Sequence, residues 1–502
     1  MSSARPISAS DWLILAAALC LGVAVLGYRL SWQDYWWDEH VTLMFTRAGW
    51  HELMVQYWGL DTHRPVYYGL QKLWNAVVGE SVVAVRSLPV VLTLPVIVIF
   101  FLAARRISAG PLAPITALLM ACAPMFLYQG REVRMYALNN LALSVTLLLA
   151  VTLAARARQE MREGLPPARG TALLWVGVAV SMALAFYAQA LAALVALLFG
   201  LWVLICVVAG HLPRRFLWQS LGAMALFSVL ILPALQPFFS HLNGTLGESF
   251  WLPEPSVSYI YAQTATAYPY PKWMKPVVGL MLLWGLWCLR DRPHVAWLAG
   301  LMVFGLPALV LAISFAKPIY MAKVIAWGSI VSVLVLAAGL ARLRPVLRWS
   351  GVAMLLAAQL MSARAFYPPA PEISPARVIA AGLEDFDPGA DLLVLGNQML
   401  EPALRWYAPQ VFESGDVYGF TPADWTRNVI DPALRSTHVM RADAGGIDQD
   451  GRRLFVIRET ARAVPIVPED DVAQALETVT RGRDPVRRLG AADLQLDVYD
   501  PE

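Results

Sequence analysis

The chain holds 502 residues, 58% of them hydrophobic and only 15% charged, with a mean hydropathy of +0.54. Ordinary soluble domains carry about 25% charged residues, so this composition excludes a disordered chain, a nucleic-acid-binding module and a cytosolic enzyme of usual make-up. The net charge of +3 hides a division: from Pro368 onward stand 13 Arg and no Lys against 23 Asp plus Glu, so the positive charge lies in the preceding residues.

The first part reads as membrane. A spanning helix needs ~20 mostly apolar residues. Such stretches recur at 12–29, 82–103, 111–128, 136–154, 171–187, 189–209, 216–234, 276–289, 294–314, 320–340 and 349–365. They predict a polytopic α-helical membrane protein of about 11 transmembrane helices over residues 1–366, followed by a small α/β domain over 367–502. The N-terminus lacks the basic n-region and small-residue cleavage site of a signal peptide. Cys20, Cys122, Cys206 and Cys288 each fall inside a predicted span, so they form neither a disulfide framework nor a zinc cluster.

The short loops set the orientation. Arg105-Arg106, Arg156/Arg158/Arg162, Arg214-Arg215, Arg290/Arg292 and Arg342/Arg344/Arg348 share one side when the spans alternate, and that side reads as cytoplasmic. Loop 30–81, loop 235–275 and the tail then lie outside, periplasmic if this is an inner membrane.

Loop 30–81 carries Trp-, Tyr- and Leu-rich helical patches at Val41–Trp58 and Val66–Val78, suited to lying on the outer leaflet. Loop 235–275 is rich in Pro and aromatics, with Phe250-Trp251-Leu252-Pro253 and Tyr268-Pro269-Tyr270-Pro271. It reads equally as a mobile lid or as a static interfacial loop. In the tail, helices are predicted at Ser374–Phe386, Glu401–Ala408 and Val472–Thr480, and strands at Asp391–Gly396, Arg453–Arg458 and Leu494–Tyr499. No catalytic motif stands among them.

Ionisable groups beside spans are costly and usually functional. The densest run is Asp34-Tyr35-Trp36-Trp37-Asp38-Glu39-His40. Its acids could supply a general base, or could simply stay wet while the tryptophans sit at the headgroups. Asp61-Thr62-His63-Arg64-Pro65 could share a metal or a proton, or be a plain turn. Cations gather on the same face at Arg131, Arg134, Lys317 and Lys323. They suit an anionic lipid phosphate; the alternatives are snorkelling and pairing with Glu132 or Asp38.

The ordered set Trp37-Asp38-Glu39, Asp61-x-His63-x-Pro65-x-Tyr67-Tyr68-x-Leu70, Arg86, Tyr128, Glu132-Val133-Arg134-Met135-Tyr136-Ala137-Leu138, Tyr187 and Phe250-Trp251-Leu252-Pro253 resembles bacterial members of the protein O-mannosyltransferase and lipid A aminoarabinose transferase superfamily. These are polytopic, glycosyltransferase family 39-like enzymes of the GT-C fold. The resemblance implies an inverting glycosyltransferase of the inner membrane. It would move a monosaccharide, hexosyl or pentosyl, from a polyprenyl-phosphate sugar donor to an acceptor hydroxyl on the outer face, with membrane lipids as its other partners. It places the base at Asp38 with Glu39 beside it, and the donor phosphate on Arg134 and Lys323; Arg131 and Lys317 join these as phosphate-binding candidates by their charge and position. It sets Asp61 and His63 at the acceptor or at a divalent metal ion, and Arg64, Tyr67, Tyr136 and Tyr320 are further candidates for acceptor or substrate binding.

Some positions depart from the family pattern. His63-Arg64-Pro65 replaces His-Pro-Pro, Arg131 stands where Gln is common, and Lys323-Val324 replaces Arg-Tyr. Gln189 occupies a position where His is frequent, which counts against a metal site. Other readings of the whole chain are a transporter or flippase for lipid-linked glycans, which has no need of the Asp38-Glu39 pair, and a non-catalytic membrane scaffold.

Overall fold

The computed structural model describes residues 8–61, 63–244, 252–414, 416–421, 433–449, 451–460 and 469–501. Helix α1 (Ala9–Gly27) opens on Ser8, whose hydroxyl accepts the Asp11 amide hydrogen at 3.1 Å. An outer stretch follows: α2 (Trp37–Arg47), a π turn (Glu52–Gln56) and α3 (Val66–Val78). The chain then runs through α4 (Val82–Ile107), α5 (Leu112–Ala121), α6 (Pro124–Gln129), α7 (Tyr136–Glu163), α8 (Thr171–Ala188) and α9 (Ala193–Val208). Next come α10 (Arg214–Gly244), α11 (Val257–Ala267), α12 (Lys275–Cys288), α13 (Pro293–Gly300), α14 (Leu306–Ser314), α15 (Ala322–Ala341) and α16 (Pro345–Ala363).

Among the described residues, nine helical units are long and apolar enough to cross a bilayer: α1, α4, α7, α8, α9 with its leading turn, α10, α13 with α14, α15, and α16. The chain is a multi-pass membrane protein. Two of the expected spans are not single helices of spanning length. The stretch 111–128 breaks into α5 and α6 because Pro124 pushes Ala123 to an extended ψ of 117°. The stretch 276–289 makes the 14-residue α12, about 21 Å at the helical rise.

Helices α7 and α15 form the centre of the bundle, with 78% and 83% of their apolar windows buried, against 22% for the peripheral α1 and α10. Small residues let helices approach closely where no water drives them together. A Cβ on Gly285 of α12 would lie 2.0 Å from the Val335 carbonyl oxygen of α15, so only glycine fits that crossing. Apolar side chains such as Leu173, Val208 and Trp218 face outward, as lipid permits.

After α16 come α17 (Pro375–Ala381), β1 (Asp391–Leu395), α18 (Glu401–Tyr407), α19 (Pro409–Ser414), β2 (Asp416–Thr421), β3 (Thr437–Met440), β4 (Arg453–Glu459), α20 (Glu469–Thr480), β5 (Arg487–Ala491) and β6 (Leu494–Tyr499). The six strands form one sheet in the order β3-β2-β1-β4-β6-β5. The first four are parallel, and β6 and β5 add antiparallel. Strand β1 is buried along its whole length, matching the apolar run Leu392–Leu395. Its Asp391 faces Arg453 of β4 in register and accepts from that guanidinium at 2.6 and 2.9 Å.

The tail sits on the face that carries α2. Asp34 N donates to Glu372 O at 3.3 Å, and the Asp34 carboxylate accepts from Ser374 N at 2.9 Å. Trp37 Nε1 donates to the Met399 carbonyl at 2.8 Å. Trp406 of α18 packs edge-on to Tyr35 at 5.6 Å and lies 3.9 Å beneath the Arg47 guanidinium. Met399, Ala433 and Leu434 share one apolar cluster with Val41, Met44, Phe45, Tyr67 and Tyr68. Of the loop 235–275, Phe250 and Trp251 lie outside the described residues.

Candidate active site

Helix α2 begins at Trp37, and Glu39 at its third position reaches back to the Trp36 amide hydrogen at 3.3 Å, closing the first turn. Glu39 is 1% exposed, and both its oxygens are engaged. Oε2 accepts from Arg86 Nη2 at 2.7 Å, and Oε1 from Val133 N at 2.9 Å and Arg86 Nε at 3.3 Å. Arg86, on α4, also donates to the carbonyls of Leu30, Gln33 and Asp34. One buried ion pair thus ties α2 to α4 and fixes the incoming loop.

Asp38 differs from its neighbour. A quarter of its side chain is open, and its Oδ2 stands 3.8 Å from Arg134 Nε. Arg134 follows α6 and is 6% exposed; its Nη1 reaches the Asp38 carbonyl and Thr42 Oγ1, each at 3.3 Å. Burial opposes the Arg134 charge, yet Tyr68, Asp38 and Asp61 hold its pKa well above the ordinary arginine value.

Asp61 closes the other side and accepts from the Tyr68 hydroxyl. Burial, then Asp61, drives that phenol well above the usual tyrosine range. Arg64 is 3% exposed and donates to the carbonyls of Trp58 and Asp61, at 2.7 and 2.8 Å, so it braces the turn. Tyr67 turns away and donates to Gln71 Oε1 at 3.1 Å.

Lys323, at the start of α15, bonds Glu132 Oε1 at 3.2 Å. Its ammonium lies 4.0 Å from the Trp36 ring, 5.1 Å from Tyr136 and 5.6 Å from Tyr128, an aromatic surround suited to a cation. Burial pushes the Glu132 carboxyl up, against the pull of Lys323. Tyr136 lies within electrostatic reach of Arg134, Glu132, Asp38 and Asp61, and so joins the two halves of the site.

Arg131 places its guanidinium on the carbonyls of Leu26, Tyr28 and Arg29, at 2.8, 2.6 and 3.3 Å, and so caps α1. Lys317 lies between α14 and α15, and Tyr320 bonds Thr264 Oγ1 at 2.7 Å. Asp61 and His63 stand two apart at the turn that Arg64 braces, and among the described residues no group of three or more His, Cys, Asp or Glu gathers.

Sequence reasoning did not assign roles to Trp36 at Lys323 or to Tyr68 at Asp61. The Tyr67-Tyr68 pair was visible, but only the phase of α3 decides which hydroxyl faces Asp61.

No family model matches the chain, and no curated protein matches it. Solved structures do. ArnT from Cupriavidus metallidurans, in the apo state, is 15% identical over 98% of this chain and 98% of its own, with a TM-score of 0.63. The same protein bound to undecaprenyl phosphate is 15% identical over the same shares, with a TM-score of 0.60. The archaeal oligosaccharyltransferase AglB from Archaeoglobus fulgidus, in complex with an inhibitory peptide and a dolichol-phosphate, is 11% identical over 80% of this chain and 64% of its own, with a TM-score of 0.54. Both neighbours have the GT-C fold of membrane glycosyltransferases, and this chain shares that fold.

Proposed function

We propose that this chain is an inverting glycosyltransferase of the inner membrane. It takes a monosaccharide from a polyprenyl-phosphate carrier and passes it to an acceptor hydroxyl on the outer, periplasmic face, where the tail also lies. The observation that carries this reading is the Asp38 carboxylate, partly open and 3.8 Å from Arg134, with Lys323 on the same face of the fold. The two solved neighbours hold polyprenyl phosphates, undecaprenyl phosphate in one and dolichol-phosphate in the other.

The chemistry follows from charge. Asp38 accepts the proton of the acceptor hydroxyl as its oxygen attacks the anomeric carbon. The bond from that carbon to the phosphate oxygen breaks on the opposite side, and the electron pair leaves with the phosphate. Negative charge grows on the phosphate during this step. The fixed cations Arg134 and Lys323 stabilise it there more than in the ground state. Glu39, with both oxygens bonded, orients the first turn of α2 and takes no proton.

Turnover in detergent tests the reading, because a solution without sidedness reports transfer and not transport. The purified chain, incubated with a lipid extract of its own cells, is expected to release free polyprenyl phosphate and glycosylate an acceptor, both read by mass spectrometry. Absence of either product contradicts the proposal.

A further inference from the structure

A groove opens between α8 and α10 at the end of the bundle remote from Asp38. Helix α7 starts at Tyr136, within electrostatic reach of Asp38, and ends at Glu163. Its 28 residues cover about 42 Å, so the groove, which begins just past that end, lies on the opposite face of the membrane. Its walls include Ala168, Gly170 and Trp175 on one side and Gln219, Gly222 and Leu226 on the other. Its volume is about 440 Å³, within the range of ligand pockets.

The interior is apolar. No charged side chain lines it, and its polar side chains are engaged: Thr171 Oγ1 donates to the Ala168 carbonyl at 2.8 Å, and Gln219 Oε1 accepts from Trp175 Nε1 at 3.2 Å. A Cβ on Gly222 would meet no atom within 4 Å, so the α10 wall is open at that point.

The mouth is cationic. Arg215 Nη2 donates to Glu160 Oε2 at 2.8 Å, and Glu160 Oε1 accepts from Ala168 N at 2.7 Å, which ties the start of α10 to the loop before α8. Both oxygens of this acid are thereby occupied. Arg169 stands between two lining residues, and Arg214 opens α10 five residues before Gln219. Both are exposed, and among the described residues neither has a carboxylate partner. Helix α8 adds to this field, since it opens on Gly170 with no side chain capping its first amides. An apolar slot between spans with unpaired cations at its mouth is complementary to a lipid that carries net negative charge. A zwitterionic lipid would fill the slot equally well but would bring its own cation to the mouth.

We propose that this groove holds one anionic phospholipid, its acyl chain against Trp175 and Leu226 and its phosphate between Arg169 and Arg214. The bound lipid bridges the loop before α8 and the start of α10, and so stabilises the folded chain in proportion to its occupancy. The proposal requires only the membrane-spanning fold and stands apart from the glycosyltransferase reading.

The purified full-length chain, stripped of lipid in detergent, is titrated with dioleoyl phosphatidylglycerol, with dioleoyl phosphatidylcholine or with glycerol phosphate. Native mass spectrometry counts the bound molecules, and the unfolding temperature reports their effect. Phosphatidylglycerol is expected to bind at least tenfold tighter than phosphatidylcholine and to raise the unfolding temperature, while glycerol phosphate does neither. Gly222→Phe fills the groove from a position with free space around it and replaces a poor helix former. The double variant Arg169→Gln/Arg214→Gln removes only exposed charges, so it reports even where Gly222→Phe fails to fold. Each variant is expected to hold one phosphatidylglycerol fewer than the native chain and to lose its thermal shift. Equal affinity for the two lipids, an equal shift from glycerol phosphate, or full phosphatidylglycerol uptake by the arginine variant or by a folded Gly222→Phe overturns the proposal.

Discussion

Asp38 and Glu39 are adjacent acids with opposite surroundings, and substitution separates them. Glu39→Gln removes the charge that Arg86 faces in a buried pair at 2.7 Å. Losing one partner of such a pair costs about 3–5 kcal/mol, so the variant is expected to extract poorly and unfold at lower temperature. A Glu39→Gln chain as stable as the native one would contradict the strut role. His40, one residue on, is 1% exposed and lies edge-on between Tyr35 and Tyr407, at 5.8 and 5.4 Å. Burial, with some help from Arg86, pushes its pKa down to about 4, while the Tyr35 carbonyl pulls the other way. Unfolded His titrates near 6.5, so between about pH 6.5 and 4 only the unfolded chain takes up this proton. Stability from this group is therefore complete above that window and falls through it by about 3 kcal/mol. Thermal unfolding across pH 7 to 4.5 should show the decline, and His40→Phe should flatten it; superimposable profiles would refute the assignment. The adjacency of Asp38 and Glu39 was legible in the sequence, but the division into one partly open and one buried, paired acid was not. That division depends on Arg86 and Arg134, which lie 47 and 96 residues from their partners.

At the scale of elements, α2 carries the proposed base, Asp38, and is held from two sides. Arg86 and Arg134 grip it from the membrane, while α18 packs against it from the tail through Trp406 and Tyr407. Trp406→Ala removes a ring–ring contact and a cation–ring contact, together worth about 2 kcal/mol. Neither Lys323 nor Arg134 touches that ring, so the expected effect is a transfer rate lower by about tenfold at an unchanged KM for the donor. Trp406→Phe should restore most of the rate. A raised KM at full rate would place α18 in carrier binding instead. The long spans were readable because their apolar runs exceed what any soluble helix needs. Strands β2, β3 and β5 were not. The last two are half-exposed with no clean alternation, and pairing with their neighbours defines them. The break between α5 and α6 had its signal in Pro124, which hydropathy alone overlooks.

At the scale of the whole molecule, a bundle built around α7 and α15 presents one face on which the first loop, the start of α15 and the tail converge. Sequence order conveyed that first-loop acids and later cations belong together. It did not convey that the tail's Met399, Ala433 and Leu434 complete the apolar cluster beneath the site, because those contacts join segments more than 300 residues apart. The convergence makes Asp38 the point on which the proposed function turns. The most direct measurement compares lipid and surface-glycan extracts, by mass spectrometry, from cells carrying the native chain and cells carrying Asp38→Asn at equal membrane abundance. The Asp38→Asn cells should lose one sugar from an acceptor and accumulate its polyprenyl-phosphate donor. Identical extracts would deny Asp38 the role of base.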